Sequence, residues 1–275
     1  MTIWQPEALV PLMLKAGLHA VNHPFRRYPE KKADGSWVTP ADKENEEFFR
    51  TALKDSGPGF IGEETLETAK VSNPLKGTYY VLDPIDGTAP YTNGLPTWGI
   101  SLGLIEDGFF LEGMLFLPEE GVLVWSEKGK NFLSKFGFPY PSEIPAFDLA
   151  REWTIPENPS ENGMISVSQI IAKKGKYSGP RYIQATASSV WALTQMILGR
   201  SLGYISRGSL WDFAGAMPIL NNSGFQAALF RDGNRKINQI QPLFHGYPAL
   251  NARGHIILAP TLQLVEEIET SSDFS

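Results

Sequence analysis

One octapeptide constrains this chain more than any other part of it: Val81-Leu82-Asp83-Pro84-Ile85-Asp86-Gly87-Thr88. A β-type run, Thr78 to Leu82, ends there in two aspartates three residues apart, with Pro84 and Gly87 fixing the turn around them. Buried carboxylates are costly unless they are paired or coordinate metals. Two at a strand end, followed by Gly-Thr, suit a hard-cation site with backbone N–H groups behind it, ready for a phosphate. The same residue types also favour an ordinary Asp-Pro/Asp-Gly turn. The octapeptide alone leaves both readings standing.

Further acids bear on the choice. Gly59 to Gly62 reads as a short strand ending in Glu63-Glu64, and Trp211-Asp212 opens a helical run, Phe213 to Leu220. Each has a structural explanation of its own, a solvated turn for the glutamates and a helix cap for Asp212. All of them follow apolar stretches, however. Carboxylates gathered at the ends of buried elements repel one another unless cations intervene.

The remaining elements are read from periodicity and punctuation. Apolar residues at helical spacing predict a helix from about Glu7 to Val21. The basic stretch from Asn22 to Ser36 reads as a surface loop, its segment Arg26 to Lys32 either solvated or closing over a phosphate. Thr39-Pro40 starts a second helix, Thr as N-cap and Pro at the first position. Trp98 to Ile105, Phe109 to Leu117 and Gly121 to Trp125 alternate as hairpin strands. The proline-rich residues 136–162 read as a connection between an N-terminal half, about 1–135, and a C-terminal half, about 160–275. There a helix from about Ser188 to Leu198, a strand near Leu202 to Ser206, a strand Ile256 to Leu258 and a helix Thr261 to Glu269 follow. The mixed order suggests stacked α and β layers.

Composition narrows the classes. Hydrophobic residues at 42% and charged residues at 20% of 275 are ordinary globular values. The net charge of −6 argues against a nucleic-acid footprint. With no cysteine, thiolate chemistry and zinc-thiolate sites are out. No apolar run reaches the roughly 18 residues that span a bilayer, and residues 1–14 lack a signal-peptide pattern. A soluble cytoplasmic protein is the expectation.

In order along the chain stand Val38-Thr39-Pro40-Ala41-Asp42, Gly62-Glu63-Glu64, Asp83-Pro84-Ile85-Asp86-Gly87-Thr88 and Trp211-Asp212-Phe213-Ala214-Gly215. This set resembles the inositol monophosphatase family of magnesium-dependent, lithium-sensitive phosphatases, over roughly Leu9 to Glu267. The resemblance implies an α+β fold, a layered αβαβα sandwich, and commonly a homodimer. It implies one Mg²⁺ at Glu63, Asp83 and the Ile85 carbonyl, a second at Asp83, Asp86 and Asp212, and a weaker third leaning on Glu63. It further implies that Glu63, Thr88 and Asp42 orient the attacking water, and that Gly87 and Thr88 offer N–H groups to the phosphate. Thr88 as a plain N-cap and Asp42 as a plain first-turn acid remain the alternatives.

On the substrate side the resemblance points to Asp86, Ser188, Ser189, Ser206, Arg207 and Asp212. Ala89-Pro90-Tyr91 departs from the Thr-Asn-Phe of inositol-phosphate hydrolases, and Ser206-Arg207 stands where they carry a glutamate. Arg207 could face a second anionic group or the surface. The small phosphorylated substrate is therefore open among inositol phosphates, histidinol phosphate, 3′-phosphoadenosine 5′-phosphate and fructose bisphosphate. A partner-binding regulatory protein that keeps the fold is the reading from another class.

Overall fold

The computed structural model describes residues 3–32, 35–65, 76–137, 149–156, 163–246 and 249–274. The first half runs α1 (Pro6–Asn22), β1 (Glu30–Lys31), β2 (Trp37–Val38), α2 (Pro40–Leu53), β3 (Gly59–Gly62), β4 (Thr78–Asp86) and α3 (Thr88–Thr92). An antiparallel run follows: β5 (Gly99–Glu106), β6 (Phe109–Leu117), β7 (Val122–Glu127), β8 (Lys130–Lys135) and β9 (Arg151–Glu152). Next come β10 (Met164–Ser168), α4 (Gln169–Lys174), β11 (Lys176–Tyr177), β12 (Tyr182–Thr186), α5 (Ser189–Ile197), β13 (Gly203–Ser206), α6 (Leu210–Ala214) and α7 (Met217–Asn222). The chain closes with β14 (Gln226–Leu229), β15 (Gly233–Arg235), β16 (Ile256–Ala259), α8 (Leu262–Thr270) and β17 (Ser272–Asp273).

Among the described residues the larger sheets have the orders β3-β4-β5-β6-β7-β8-β9 and β12-β10-β13-β16-β14-β15. Side chains alternate across a strand, and the alternation sorts the molecule into five layers. Tyr80 and Leu82 of β4 face α1 and α2, packing with Leu9, Met13 and Phe49. Val81, between them, faces the middle layer, where α5, α6 and α7 lie against both sheets through Leu193, Phe213 and Ile219. On the second sheet Ile256 and Leu258 face that same layer, while Ile257 and Ala259 face α8 through Val265 and Ile268. The order is α, β, α, β, α, the expected sandwich.

Local chemistry explains the connections. Asp107-Gly108 and Lys128-Gly129 both have positive φ, 48° and 85°, 51° and 78°, the geometry of tight hairpin turns whose twist matches the strands. Thr39 caps α2 in a capping box with Asp42.

Several expectations need correction. The stretch from Asn22 to Ser36 is not simply a solvated loop: α1 runs to Asn22, β1 pairs with β2, and Arg26 is anchored on the Tyr91 carbonyl at 2.6 Å and ion-paired with Glu119. The run Phe213 to Leu220 is two short helices, interrupted at Gly215-Ala216. The connection 136–162 lies largely outside the described residues, apart from residues 136–137 and 149–156, where β9 extends the first sheet beside β8. The reading also passed over β8, β10, β12, β14, β15 and α4. Among the described residues no helix is long and apolar enough to cross a membrane.

Candidate active site

Register brings the acids together. β3 runs parallel to β4 with Gly62 opposite Leu82, and the Glu63 amide donates to the Leu82 carbonyl at 3.3 Å, so Glu63 continues beside Asp83. Three residues of separation would normally put Asp83 and Asp86 on opposite faces of β4. The pairing with β5 shifts between Asp83↔Ser101 and Asp86↔Gly99, three steps on one strand against two on the other. That bulge at Pro84-Ile85 returns both carboxylates to one cluster.

Asp212 arrives from the middle layer. It is the third residue of α6 and completes a capping box with Ser209, whose amide donates to Oδ2 at 2.8 Å. Two glycines let α6 come this close. A Cβ on Gly103 would meet Ala214 at 2.6 Å, and one on Gly113 would meet the Gly215 carbonyl oxygen at 2.2 Å. Ser101, opposite Asp83 on β5, donates to the Trp211 carbonyl at 2.9 Å and accepts from the Gly215 amide at 3.1 Å. Asp83, Asp86 and Asp212 each offer a carboxylate oxygen, and those atoms all lie within 4.8 Å of one another.

The electrostatics follow from this crowding. Burial, then the neighbouring charges of Glu63, Asp86 and Asp212, pushes the Asp83 carboxyl well above the usual carboxylate range. Burial and the charges of Asp86 and Glu63 do the same to Asp212. Asp86 is pushed up to about 7 by burial, although Ser188 Oγ (2.5 Å) and the Val190 amide (2.6 Å) both donate to its Oδ2. Burial also lifts Asp42 to about 7, against hydrogen bonds from the Thr39 hydroxyl and amide.

Glu63 sits at the rim, half-buried, its Oε1 3.0 Å from the Lys32 ammonium, which also reaches Glu64 at 2.7 Å. Burial pulls the Lys32 pKa down, but the two carboxylates more than offset it and the net shift is upward. Beneath this pair the buried Glu46 accepts the Glu64 amide at 2.7 Å, and no Cβ on Gly62 would fit beside its carboxyl. Gly87, at φ 92°, caps the start of α3, with Thr88 its first residue, so Thr88 is not the N-cap.

The substrate-side residues divide. Ser188 is buried, caps α5 and holds Asp86. Ser189 is hydrogen-bonded to the Tyr204 hydroxyl at 2.9 Å, and Ser206 also bonds Tyr204, so both hydroxyls are engaged inside the core. Arg207 is exposed and lines a cavity of about 560 Å³ with Lys174, Ser209 and His255.

Ser101 and Glu46 escaped the sequence reading, and Lys32 entered it only as part of the basic segment Arg26 to Lys32. Ser101 carried a faint signal, a hydroxyl in the otherwise apolar run Ile100 to Ile105. The Lys32–Glu63 pairing carried none.

Comparison with known proteins identifies the family and the fold. The sequence model of the inositol monophosphatase family matches residues 13–259. A histidinol-phosphatase from Chlorobaculum parvum is 32% identical over 220 residues, covering 76% of this chain and 80% of that protein. An inositol-1-monophosphatase from Mesorhizobium japonicum is 24% identical over 229 residues, covering 79% and 84%. The extragenic suppressor protein suhB from Bartonella henselae shares the fold, with a TM-score of 0.70 at 16% identity over 96% of each chain. The chain belongs to the inositol monophosphatase family, and with it to the phosphoric monoester hydrolases.

Proposed function

We propose that this chain hydrolyses a small sugar or alcohol phosphate by direct attack of water, with Mg²⁺ held by Glu63, Asp83, the Ile85 carbonyl, Asp86 and Asp212. One observation carries the reading. Three carboxylates crowd within 4.8 Å, and none has a cationic side chain as hydrogen-bond or ion-pair partner among the described residues. An all-oxygen, buried and mutually repelling donor set fits a hard dication. When bound, such ions would neutralise phosphoryl charge and acidify a water.

The chain's own groups prepare the rest. Ser188 and Val190 donate to Oδ2 of Asp86 and fix its carboxylate beside the cluster. The Gly87 turn leaves the first amides of α3, at Gly87 and Thr88, without intrahelical partners and suited to a phosphate. Glu63, Thr88 and Asp42 orient the water, and a carboxyl held near pH 7 at Asp42 suits proton transfer there.

Arg207 makes no hydrogen bond or ion pair among the described residues. With Lys174 beside it, and with His255 held toward its neutral form by burial and the Arg207 charge, the cavity favours a neutral or anionic leaving group over cationic histidinol. The same reading carries a homodimer, which sedimentation would check. Initial rates with p-nitrophenyl phosphate, then inositol 1-phosphate, fructose bisphosphate, 3′-phosphoadenosine 5′-phosphate and histidinol phosphate, test the proposal across Mg²⁺ concentrations. Turnover that appears with Mg²⁺ and disappears with EDTA is expected. A protein acting only through a partner would turn over none of them.

A further inference from the structure

We infer that the outer layer carries a second, chemically different metal site, a His₂-carboxylate site for a Zn²⁺-class cation, formed by His19, His23 and Glu44. His19 lies in the last turn of α1 and His23 is its C-cap residue, and their rings come within 5.1 Å of each other, centroid to centroid. Glu44 of α2, which packs against α1, places Oε2 2.9 Å from His19 Nε2 and 3.4 Å from His23 Nε2. Tetrahedral coordination with bonds of about 2.0–2.1 Å has donor–donor edges of about 3.3 Å. The two separations bracket that edge.

The hydrogen bonding around His19 prepares it as a ligand. Asn45 Nδ2 donates to the Ala16 carbonyl at 3.1 Å, which leaves Oδ1 facing His19 Nδ1 at 2.9 Å. An amide oxygen only accepts, so Nδ1 carries the proton and Nε2 of the neutral ring is a bare lone pair. With the ring protonated, Nε2–H donates to Glu44 Oε2 at 2.9 Å; in the neutral ring that lone pair faces the carboxylate oxygen, and a metal ion can take the proton's place. A ligating histidine held by a hydrogen bond on its other nitrogen is the usual outer arrangement of metal sites. The end of α1 adds the negative pole of its dipole.

His23 must adjust. The Phe25 amide donates to its Nδ1 at 3.2 Å, so the ring's proton sits on Nε2, facing Glu44. On metal binding that proton moves to Nδ1 and the hydrogen bond from the Phe25 amide is given up. Two imidazoles and one carboxylate suit Zn²⁺, Co²⁺, Ni²⁺ or Cu²⁺ rather than Mg²⁺. The fourth position opens toward solvent and a cavity of about 220 Å³ that His19, Glu44 and Lys15 line. No ligand is shared with Asp83, Asp86 and Asp212.

Metal-stripped protein titrated with Co²⁺ under saturating Mg²⁺ tests this by calorimetry and visible spectroscopy. One Co²⁺ per chain with the absorption of tetrahedral Co²⁺ is expected, unchanged in Asp83→Asn. His19→Ala and Glu44→Gln should each weaken it by about 100-fold, at the upper end of what losing a ligand's outer partner costs. Mg²⁺-driven turnover of His19→Ala should stay at the wild-type level, as should its circular dichroism. Co²⁺ binding that survives both substitutions, that vanishes under saturating Mg²⁺, or that is octahedral would overturn the inference.

Discussion

Two acid-bearing clusters, both touched by α2, show how donor type and burial choose a cation. In one, Asp83, Asp86 and Asp212 are oxygen donors alone, crowded where the end of β4 meets the starts of α5 and α6, and their carboxyls are held well above the ordinary range. In the other, two imidazoles and a glutamate meet at the edge of a helix pair, with the His19 and Glu44 side chains 40% and 55% exposed and His23 buried beside them. The buried cluster cannot stay charged without help, because low dielectric magnifies repulsion. The other can be solvated at His19 and Glu44 and gains from a cation only through coordination. The first is a site by necessity, the second by geometry.

The largest expected effect is at the centre of the buried cluster. Asp83→Asn removes a charge that each neighbouring carboxylate feels, and with it the bridging ligand. Turnover should fall about 10³-fold or more, as expected when charge stabilisation worth several kcal/mol is lost. The metal-free variant should melt at or above the wild type, since one repelling carboxyl is gone. Steady-state rates beside a melting curve check both. A variant retaining wild-type turnover would erase the distinction between the clusters.

Next comes the coupling of metal to pH. Asp42 and Asp86 titrate near 7 in the fold, against an unperturbed 3.8, so the folded chain binds more protons than the unfolded chain between those values. Stability of the metal-free protein should therefore be highest near pH 4 and decline as pH rises toward about 7. Glu64, pushed up to about 8 by burial and the Glu63 charge, extends the decline. Mg²⁺ binds the deprotonated carboxylates, so its stabilising effect should grow over the same window. Melting temperatures with EDTA and with Mg²⁺, at about pH 5.5 and about pH 8, measure it; each kcal/mol is worth about 2–4 °C. A Zn²⁺ response at His19 should persist in Asp83→Asn, where the Mg²⁺ response is lost.

How much of this was legible divides along the same line. The Asp83 to Thr88 turn could be read because Pro84 and Gly87 punctuate it and acids at a strand end demand an explanation. Thr39, Asp42 and Asp212 could be read because capping chemistry is local, confined to three residues of separation. The meeting of Asp212 with Asp83 was implied by the family resemblance alone, and the contact that makes it could not be read from the residues themselves. It runs through Ser101 to Trp211 and Gly215, more than a hundred positions away, and depends on a register and a bulge that no local pattern encodes. For the same reason Arg26 and Lys32 read as either solvated or closing over a phosphate, because their partners Glu119 and Glu63 are distant in sequence. His19 and His23 show helical spacing in the sequence, but Glu44 joins them only once α2 packs on α1.

Ser101 then offers an intermediate test. Ser101→Ala leaves the Trp211 carbonyl and the Gly215 amide without that hydroxyl in a buried setting, at a cost of about 1–3 kcal/mol. The melting temperature should drop, and the Mg²⁺ concentration for half-maximal rate should rise because Asp212 is less firmly held. The Co²⁺ affinity of the outer cluster should be unchanged. Equal weakening of both would mean that α6 placement is a property of the whole fold rather than of one site.

The smallest expected effect lies at the rim, where the two kinds of cation partner meet in one residue. Lys32 supplies Glu63 and Glu64 with a positive charge that a metal would otherwise provide, and the side chains of Lys32 and Glu63 are each about 21% exposed. A partly solvated pair is worth about 1 kcal/mol or less. Lys32→Met keeps the apolar stem and removes the charge, so Glu63 no longer has to leave an ammonium before it can bind a metal. The Mg²⁺ concentration for half-maximal rate should fall about two- to fivefold, with the maximal rate little changed. A higher Mg²⁺ requirement would instead mean that Lys32 holds Glu63 in its binding position, and that the rim is organised by a protein cation before any metal arrives.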